Sequence, residues 1–593
     1  MKKLMYLILL LLFISCSNLE KVSDNYKENV FNMENYIELD NDSVNFLFEI
    51  PENSEIEFYL AKDGEKLKKI EIKDNYSKKS GIVIDGFEPG YTYNYKVVAK
   101  INGKKYYTDV FKLEKKEVKL EKSRATWAKN AVFYEVFVRS FYDSDGDRIG
   151  DFKGLAQQLD YLKDLGIDAI WLMPTFESPS YHGYDIVDYY SVEKDYGTLE
   201  DFKYLIKKAH EKNIKIILDL VLNHTSSRHP WFRDAISNPN SKYRDYYVWA
   251  SKYDNIKEKG EWGQDLWYKR GNGYYQAVFW NEMPDLNYRN PKVREEAKKI
   301  AKYWLDMGVD GFRLDAAKHI DSEYDEVNHK WWQEFTAYVK SVNKEAFIVG
   351  ENWDENENVV AKYMQDMDAS FNFRISKRLT DFVQRKNFDL IQEVLRIREK
   401  YSKYNKDFID ATFVRNHDMN RIASEVWGDK EKQKLIFSLL FTMPGTPFIY
   451  YGEELGQLGK KPDENIREPF DWYKNAKGPG MTKAPSNYSG LVYTKANDGI
   501  SLEEEYNDKN SIYNYFKDLI KLRKKYPIFN DGMYKTIKRD RNIYAYTVSK
   551  DNVELLIVHN LNKNSTKFIL PKGYENYGKS IELGKYETKI LKK

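Results

Sequence analysis

Two hydrophobic patterns follow one another along the chain. From about Asn35 to Leu113, apolar and polar residues alternate in short runs. Val44–Ile50, Glu55–Leu60 and Tyr93–Val98 carry the two-residue period of strands buried on one face. Asp63-Gly64, Pro89-Gly90 and Asn102-Gly103 punctuate them as turns. Residues 35–113 therefore read as a small β-sandwich, and the charged stretch 114–126 as a linker.

From Trp127 the period changes. Seven short apolar runs alternate with amphipathic helical segments: Ala131–Val138, Ala169–Met173, Ile214–Leu222, Gly311–Leu314, Ala346–Gly350, Ala411–Val414 and Thr446–Tyr451. Strand and helix alternating over residues 127–529 predict an α/β fold, the (β/α)8 or TIM barrel, with functional residues at the carboxyl ends of the strands. An irregular insert, domain B at about 225–287, interrupts after the third run, and a helix over Ser511–Tyr526 closes the barrel. Strand-like runs return at Asn542–Val548 and Val553–His559, so residues 530–593 read as a C-terminal β-sandwich.

The N-terminus has its own signature. Lys2 and Lys3 precede an apolar run, Leu4–Ile14, too short to span a bilayer and suited to the core of a signal peptide. It leads into Phe13-Ile14-Ser15-Cys16, which resembles a bacterial lipobox except that Phe13 stands where Leu is usual. Cys16 is the only cysteine, so no intramolecular disulfide can form. Residues 1–16 read as a lipoprotein signal peptide with Cys16 as the lipidated residue, and 17–34 as a tether. The expected location is extracytoplasmic, membrane-anchored on the cell surface or periplasmic side. An ordinary signal with an incidental cysteine is the alternative.

Composition narrows the partners. Lys and Arg number 94 against 92 Asp and Glu, leaving a net charge of +2 and no global basic field to collect nucleic acid. A 42% hydrophobic content excludes a disordered or collagen-like chain. The 48 tyrosines suit a sugar-stacking surface or reflect genomic bias.

Four of the runs end in a polar cluster. These are Asp219-Leu-Val-Leu-Asn223-His224, Arg313-Leu314-Asp315-Ala-Ala-Lys318-His319, Glu351-Asn352-Trp353 and Arg415-Asn416-His417-Asp418. Carboxylates at neighbouring strand tips, with a nearby Arg and three His, suit glycoside hydrolysis. That reaction needs two carboxyls across the scissile bond and groups that stabilise an oxocarbenium-like transition state. Separately, Asp143, Asp145, Asp147 and Asp151 recur at every second position or nearly so, an oxygen-rich loop that suits calcium. It is not an EF-hand: Gly146 stands at loop position four and Gly154 at position twelve.

These four clusters resemble the characteristic regions of the α-amylase family, glycoside hydrolase family 13, over about Trp127 to Lys593. Gly183-Tyr184-Asp185, Met283–Asn287 and Gly445–Glu454 extend the likeness. The resemblance implies hydrolysis of α-1,4-glucosidic bonds in starch, maltodextrin or related α-glucans, with retention of configuration. It assigns Asp315 as nucleophile, Glu351 as general acid/base and Asp418 as transition-state stabiliser. It makes Arg313 the group that holds Asp315 ionised. His224 and His417 would bond sugar hydroxyls, and Tyr184 would stack on the sugar. Lys318 and His319 would meet the leaving-group side, and Arg467 would face substrate.

The Met-Pro-Asp-Leu-Asn segment at 283–287 resembles an intermediate group of α-amylases of broad specificity, and neopullulanase or cyclomaltodextrinase activity is the alternative within the family. The resemblance also implies that the Ile149 carbonyl joins the Asp143–Asp151 loop in binding calcium. It implies a second calcium site at Asn223, Asp285 and the His319 carbonyl. A glucan-capture surface lipoprotein without catalysis is the reading from outside enzymes, but it predicts a degraded carboxylate set, and all three carboxylates are present.

Overall fold

The computed structural model describes most of residues 36–115, and residues 125–593 apart from 253, 272, 323–324, 386–387 and 486–489. Cys16, the tether and linker residues 116–124 lie outside the described residues. The chain forms two compact units, one within residues 43–115 and one within 116–593.

In the first unit, Glu55–Lys62 pairs antiparallel with Thr92–Ile101, and Ser43–Phe46 with Ile82–Asp85. The inward residues of both pairs, Val44, Phe46, Ile84, Phe58, Tyr95 and Val97, form one buried cluster. This is the two-layer packing that the alternating pattern predicts.

The second unit is built on a closed parallel barrel of eight strands. They are β1 (Phe133–Val136), β2 (Ala169–Leu172), β3 (Lys215–Leu220), β4 (Gly311–Leu314), β5 (Phe347–Gly350), β6 (Ala369–Phe371), β7 (Ile409–Phe413) and β8 (Thr446–Tyr450). Almost every strand residue is buried, as expected where helices cover the outside and side chains fill the interior. The sequence reading found seven runs; the structure adds β6. Its three residues, Ala369-Ser370-Phe371, are too few and too mixed to show a strand period. Barrel closure orders them instead, through pairing with β5 and β7.

Aromatic rings fill the barrel's lower interior. Phe133 stacks on Phe448 with centroids 4.2 Å apart, and Phe371 meets Phe448 at 4.9 Å. Above this plug the inward positions become polar. Gly311 opens β4 at φ 153°, where an added Cβ would stand 2.0 Å from the Phe347 carbonyl oxygen, so β4 can lie against β5 only with glycine there.

The insert follows β3. It holds a helix, Pro230–Ser237, and a hairpin of Trp267–Arg270 with Gly273–Gln276. A backbone bridge between His224 and Asp285 ties its two ends together. The helix Ile512–Lys525, capped by Ser511, closes the barrel as predicted. Beyond it a four-stranded sheet and the hairpin Thr566–Ile569/Ser580–Leu583 share a core that includes Ala545, Val558, Phe568 and Leu583.

Candidate active site

Residues Leu314 of β4 and Gly350 of β5 are register partners, so Asp315 and Glu351 leave adjacent strand ends side by side. Between them stands Arg313, buried at 1% exposure. Its Nη1 donates to Asp315 and to Asp219 at 2.7 Å each, and its Nη2 lies 2.7 Å from Glu351. One guanidinium thus holds three carboxylates, from β3, β4 and β5. Its flat face lies 5.0 Å from the Trp171 ring centre. Ala316 turns the chain sharply at φ 38°, a left-handed conformation that strains a residue with a side chain, and its N–H donates to Glu351 at 3.1 Å.

The opposite wall comes from β7. His417 Nε2 lies 3.1 Å from Asp418, and its Nδ1 lies 2.5 Å from Glu135 on β1. Arg467 reaches Asp418 at 2.8 Å and donates to the His417 carbonyl at 3.0 Å. Tyr184 stacks on His417 with centroids 5.5 Å apart, and its hydroxyl lies 2.6 Å from His417 Nε2 and 3.1 Å from Asp219. Asp315, Glu351, Asp418, Tyr184, His224, His319 and Arg467 all line one cavity of about 600 Å³.

Five carboxylates, Glu135, Asp219, Asp315, Glu351 and Asp418, face three cations here, Arg313, His417 and Arg467. A low-dielectric site cannot hold that imbalance fully ionised, so protons stay bound. Burial would depress His417, but Asp418 and Glu135 reverse this and push it up to about 10. Burial raises Asp418, yet His417 and Arg467 overcome it and hold the carboxyl far below the usual range. Burial raises Asp219 to about 7 despite Arg313.

Burial also raises both Asp315 and Glu351, with Arg313 opposing it in each. Arg313 opposes burial by its charge at both acids, and at Asp315 by a hydrogen bond as well. The two acids lean on one cation and lose their protons as a coupled pair.

The remaining residues fall as follows. His224 is pushed down to about 4 by burial and is neutral; its Nε2 donates to the Tyr184 carbonyl at 3.0 Å. His319 is likewise pushed down to about 4. Lys318 sits at the rim, tied to Asp354 at 3.4 Å and to Glu261 of the insert at 3.3 Å. Glu135 and Trp171 belong to the site although no motif marked them. A glutamate inside the apolar run Ala131–Val138 was the available signal. Trp262 of the insert, which stacks on Trp353 at 5.8 Å, had none.

Two places fit a hard cation. Carboxylate oxygens of Asp143, Asp145 and Asp151 lie within 4.8 Å of one another. Asp147, expected among them, is not part of that group; it is exposed and accepts the Ile149 N–H at 2.6 Å. Repelling carboxylates held this close match an oxygen-rich site. At the second place, the Asn223 side chain is fully buried with neither its Oδ1 nor its Nδ2 hydrogen-bonded. Beside it Asp285 is buried, accepting only the Val278 N–H, and burial raises its carboxyl well above the usual range. An orphaned amide oxygen and a desolvated carboxylate together suit a cation.

Residues 135–532 match the family described as "Alpha amylase, catalytic domain". The chain belongs to the α-amylase family. It is 49% identical over 479 residues to Alpha-amylase 3 of Dictyoglomus thermophilum, covering 79% of this chain and 94% of that protein. It is 37% identical to a 4-alpha-glucanotransferase of Thermotoga neapolitana, over 73% of this chain and 96% of that one. Among solved structures, the α-amylase from H. orenii matches with 40% identity and a TM-score of 0.72, over 78% of this chain and 99% of that chain. The barrel and its strand-end carboxylates are thus the α-amylase catalytic architecture.

Proposed function

We propose that the protein is an α-amylase-type glycoside hydrolase that cleaves α-1,4-glucosidic bonds in starch, maltodextrin or related α-glucans with retention of configuration. The observation that carries this is the single guanidinium of Arg313 bridging Asp315 and Glu351 at adjacent strand ends. Parallel strands about 4.8 Å apart bring such carboxyls into the range of about 5–5.5 Å used by retaining enzymes.

Glu351, protonated, donates to the glycosidic oxygen as Asp315 attacks the anomeric carbon. The carbon–oxygen bond breaks, the leaving chain departs with the proton, and a glycosyl ester forms on Asp315. Glu351, now anionic, takes a proton from water, whose oxygen attacks the same carbon and frees Asp315. Asp418, held ionised by His417 and Arg467, stabilises the oxocarbenium-like charge. Tyr184 stacks on the sugar, and His224, His417 and Arg467 bond or orient its hydroxyls. Lys318 and His319 meet the leaving chain.

Calcium is the cation that best suits the Asp143–Asp145–Asp151 group, with Asn223, Asp285 and the His319 carbonyl as a second site. Bound there, it would supply charge that fixes the loops around the cleft. Cys16 supports a lipid anchor that places the enzyme outside the cytoplasm on a membrane surface. Incubation with soluble starch tests the activity: new reducing ends and loss of iodine colour are expected, and an intact polymer would overturn it.

A further inference from the structure

We propose that a second groove, running from the cleft to Trp427, binds the distal part of a long α-glucan, with Trp427 as its stacking platform. The inference rests on the α-glucan reading above and extends it to chain length. The groove has a volume of about 690 Å³ and shares Trp353, Phe373 and Met419 with the catalytic cavity, so the two are continuous. A polymer whose reacting bond lies between Asp315 and Glu351 can therefore leave the cleft along the ends of β5, β6 and β7.

Trp427 is placed at odds with ordinary packing. The residue is 78% exposed, the highest value among the large hydrophobic residues described. Its backbone takes φ 57°, the left-handed region that a bulky residue adopts only when its surroundings compel it. The following Gly428 N–H donates to the Ala423 carbonyl at 2.8 Å, which fixes the turn after the short helix Ile422–Glu425. Lys432 approaches the ring to 5.7 Å, leaving most of the indole in solvent. Strain spent on holding a tryptophan outward marks it as a contact surface.

The groove's chemistry suits a sugar chain. Trp353, Phe373 and Trp427 offer flat apolar faces. Between them lie Asn420 and Gln384, donors and acceptors that match hydroxyls. The charged lining residues balance: Lys377 pairs with Glu355 at 2.6 Å, Arg415 pairs with Glu425, and Lys460 offsets Asp381, so no net charge selects an ionic ligand there. Aromatic faces interleaved with polar groups of no net charge recognise a neutral, ring-bearing polymer.

The test compares Trp427→Ala and Trp427→Phe with wild type on two substrates: amylose, and an aryl maltotrioside too short to leave the catalytic cavity. On amylose, KM should rise and kcat/KM fall about five- to tenfold in Trp427→Ala, with most of the loss recovered in Trp427→Phe. On the trioside both variants should match wild type, and melting temperatures should be unchanged. Equal losses on both substrates, or no loss on amylose, would overturn the groove. If wild type cleaves neither substrate, the proposed activity fails instead, and binding then decides the groove separately. Asp315→Asn should bind maltoheptaose more tightly than the double variant with Trp427→Ala; equal affinity would overturn the proposal.

Discussion

Glu135 on β1 accepts a hydrogen bond from His417 Nδ1 at 2.5 Å, both side chains being almost completely buried. The contact reaches past β8 and fixes the charge of a residue that also touches Asp418 and Tyr184. His417 has its folded pKa raised from 6.5 to about 10. Its contribution to stability is therefore fully present below about pH 6.5 and is lost as pH rises through about 10. Glu135→Gln keeps an acceptor but removes a charge. The alkaline decline of the melting temperature should then begin about one pH unit or more earlier. Melting profiles against pH check this, and superimposable alkaline limbs would refute the role of Glu135.

The strand ends that carry chemistry were legible because each joins an apolar run to charged residues. Charges survive next to a buried run only at its tip or in a paired site. β6 escaped because Ala369–Phe371 has no period, and its flanking Asp368 is buried by a partner far away in sequence, Lys340, at 2.6 Å. Trp262 escaped for a similar reason. The insert around it is polar and aperiodic, and only tertiary folding brings it onto Trp353.

Gly311 tests how closely β4 must approach β5. An added methyl would overlap the Phe347 carbonyl oxygen at 2.0 Å, with backbone on both sides and nothing soft to yield. Gly311→Ala should cost about 4 kcal/mol or more and lower the melting temperature sharply. A melting temperature within a few degrees of wild type would mean that the strands separate more easily than this packing implies.

Calcium bound only to the folded state should stabilise it, by about 2.7 kcal/mol at a hundredfold excess over Kd. Chelation should lower the melting temperature of wild type, and added calcium should restore it. Asp145→Ala should reduce this response to the part carried by the Asn223–Asp285 site, because Asp145 is one of the three converging carboxylates and is exposed enough to be replaced without a cavity. Asp147→Ala should leave it intact. A normal chelator response in Asp145→Ala would remove the loop from consideration.

Membrane attachment is predicted to depend on one atom, the Cys16 sulfur. Among the described residues no helix is long and apolar enough to cross a membrane. Cys16→Ala should move the enzyme from the membrane fraction to the soluble fraction or leave an unprocessed precursor. Unchanged membrane association would reject lipidation.

The reaction itself makes the most specific prediction. Asp315 and Glu351 share Arg313, and burial raises both, so their protons leave in two coupled steps. In the proposed mechanism the active form has lost the first proton, from Asp315, and kept the second, on Glu351. Activity should therefore rise as pH climbs through the first step and fall through the second, giving a bell. Asp315→Asn and Glu351→Gln should each lose about three to six orders of magnitude on starch while still folding. They should differ on maltosyl fluoride, whose leaving group needs no proton: Glu351→Gln should form the glycosyl ester at a substantial rate, and Asp315→Asn should not. The alkaline limb should change in Glu351→Gln, where no titrating acid remains at that position. NMR of fresh starch products should show the α-anomer before mutarotation. The β-anomer appearing first, or ester formation in Asp315→Asn, would overturn the assignment of Asp315 as nucleophile.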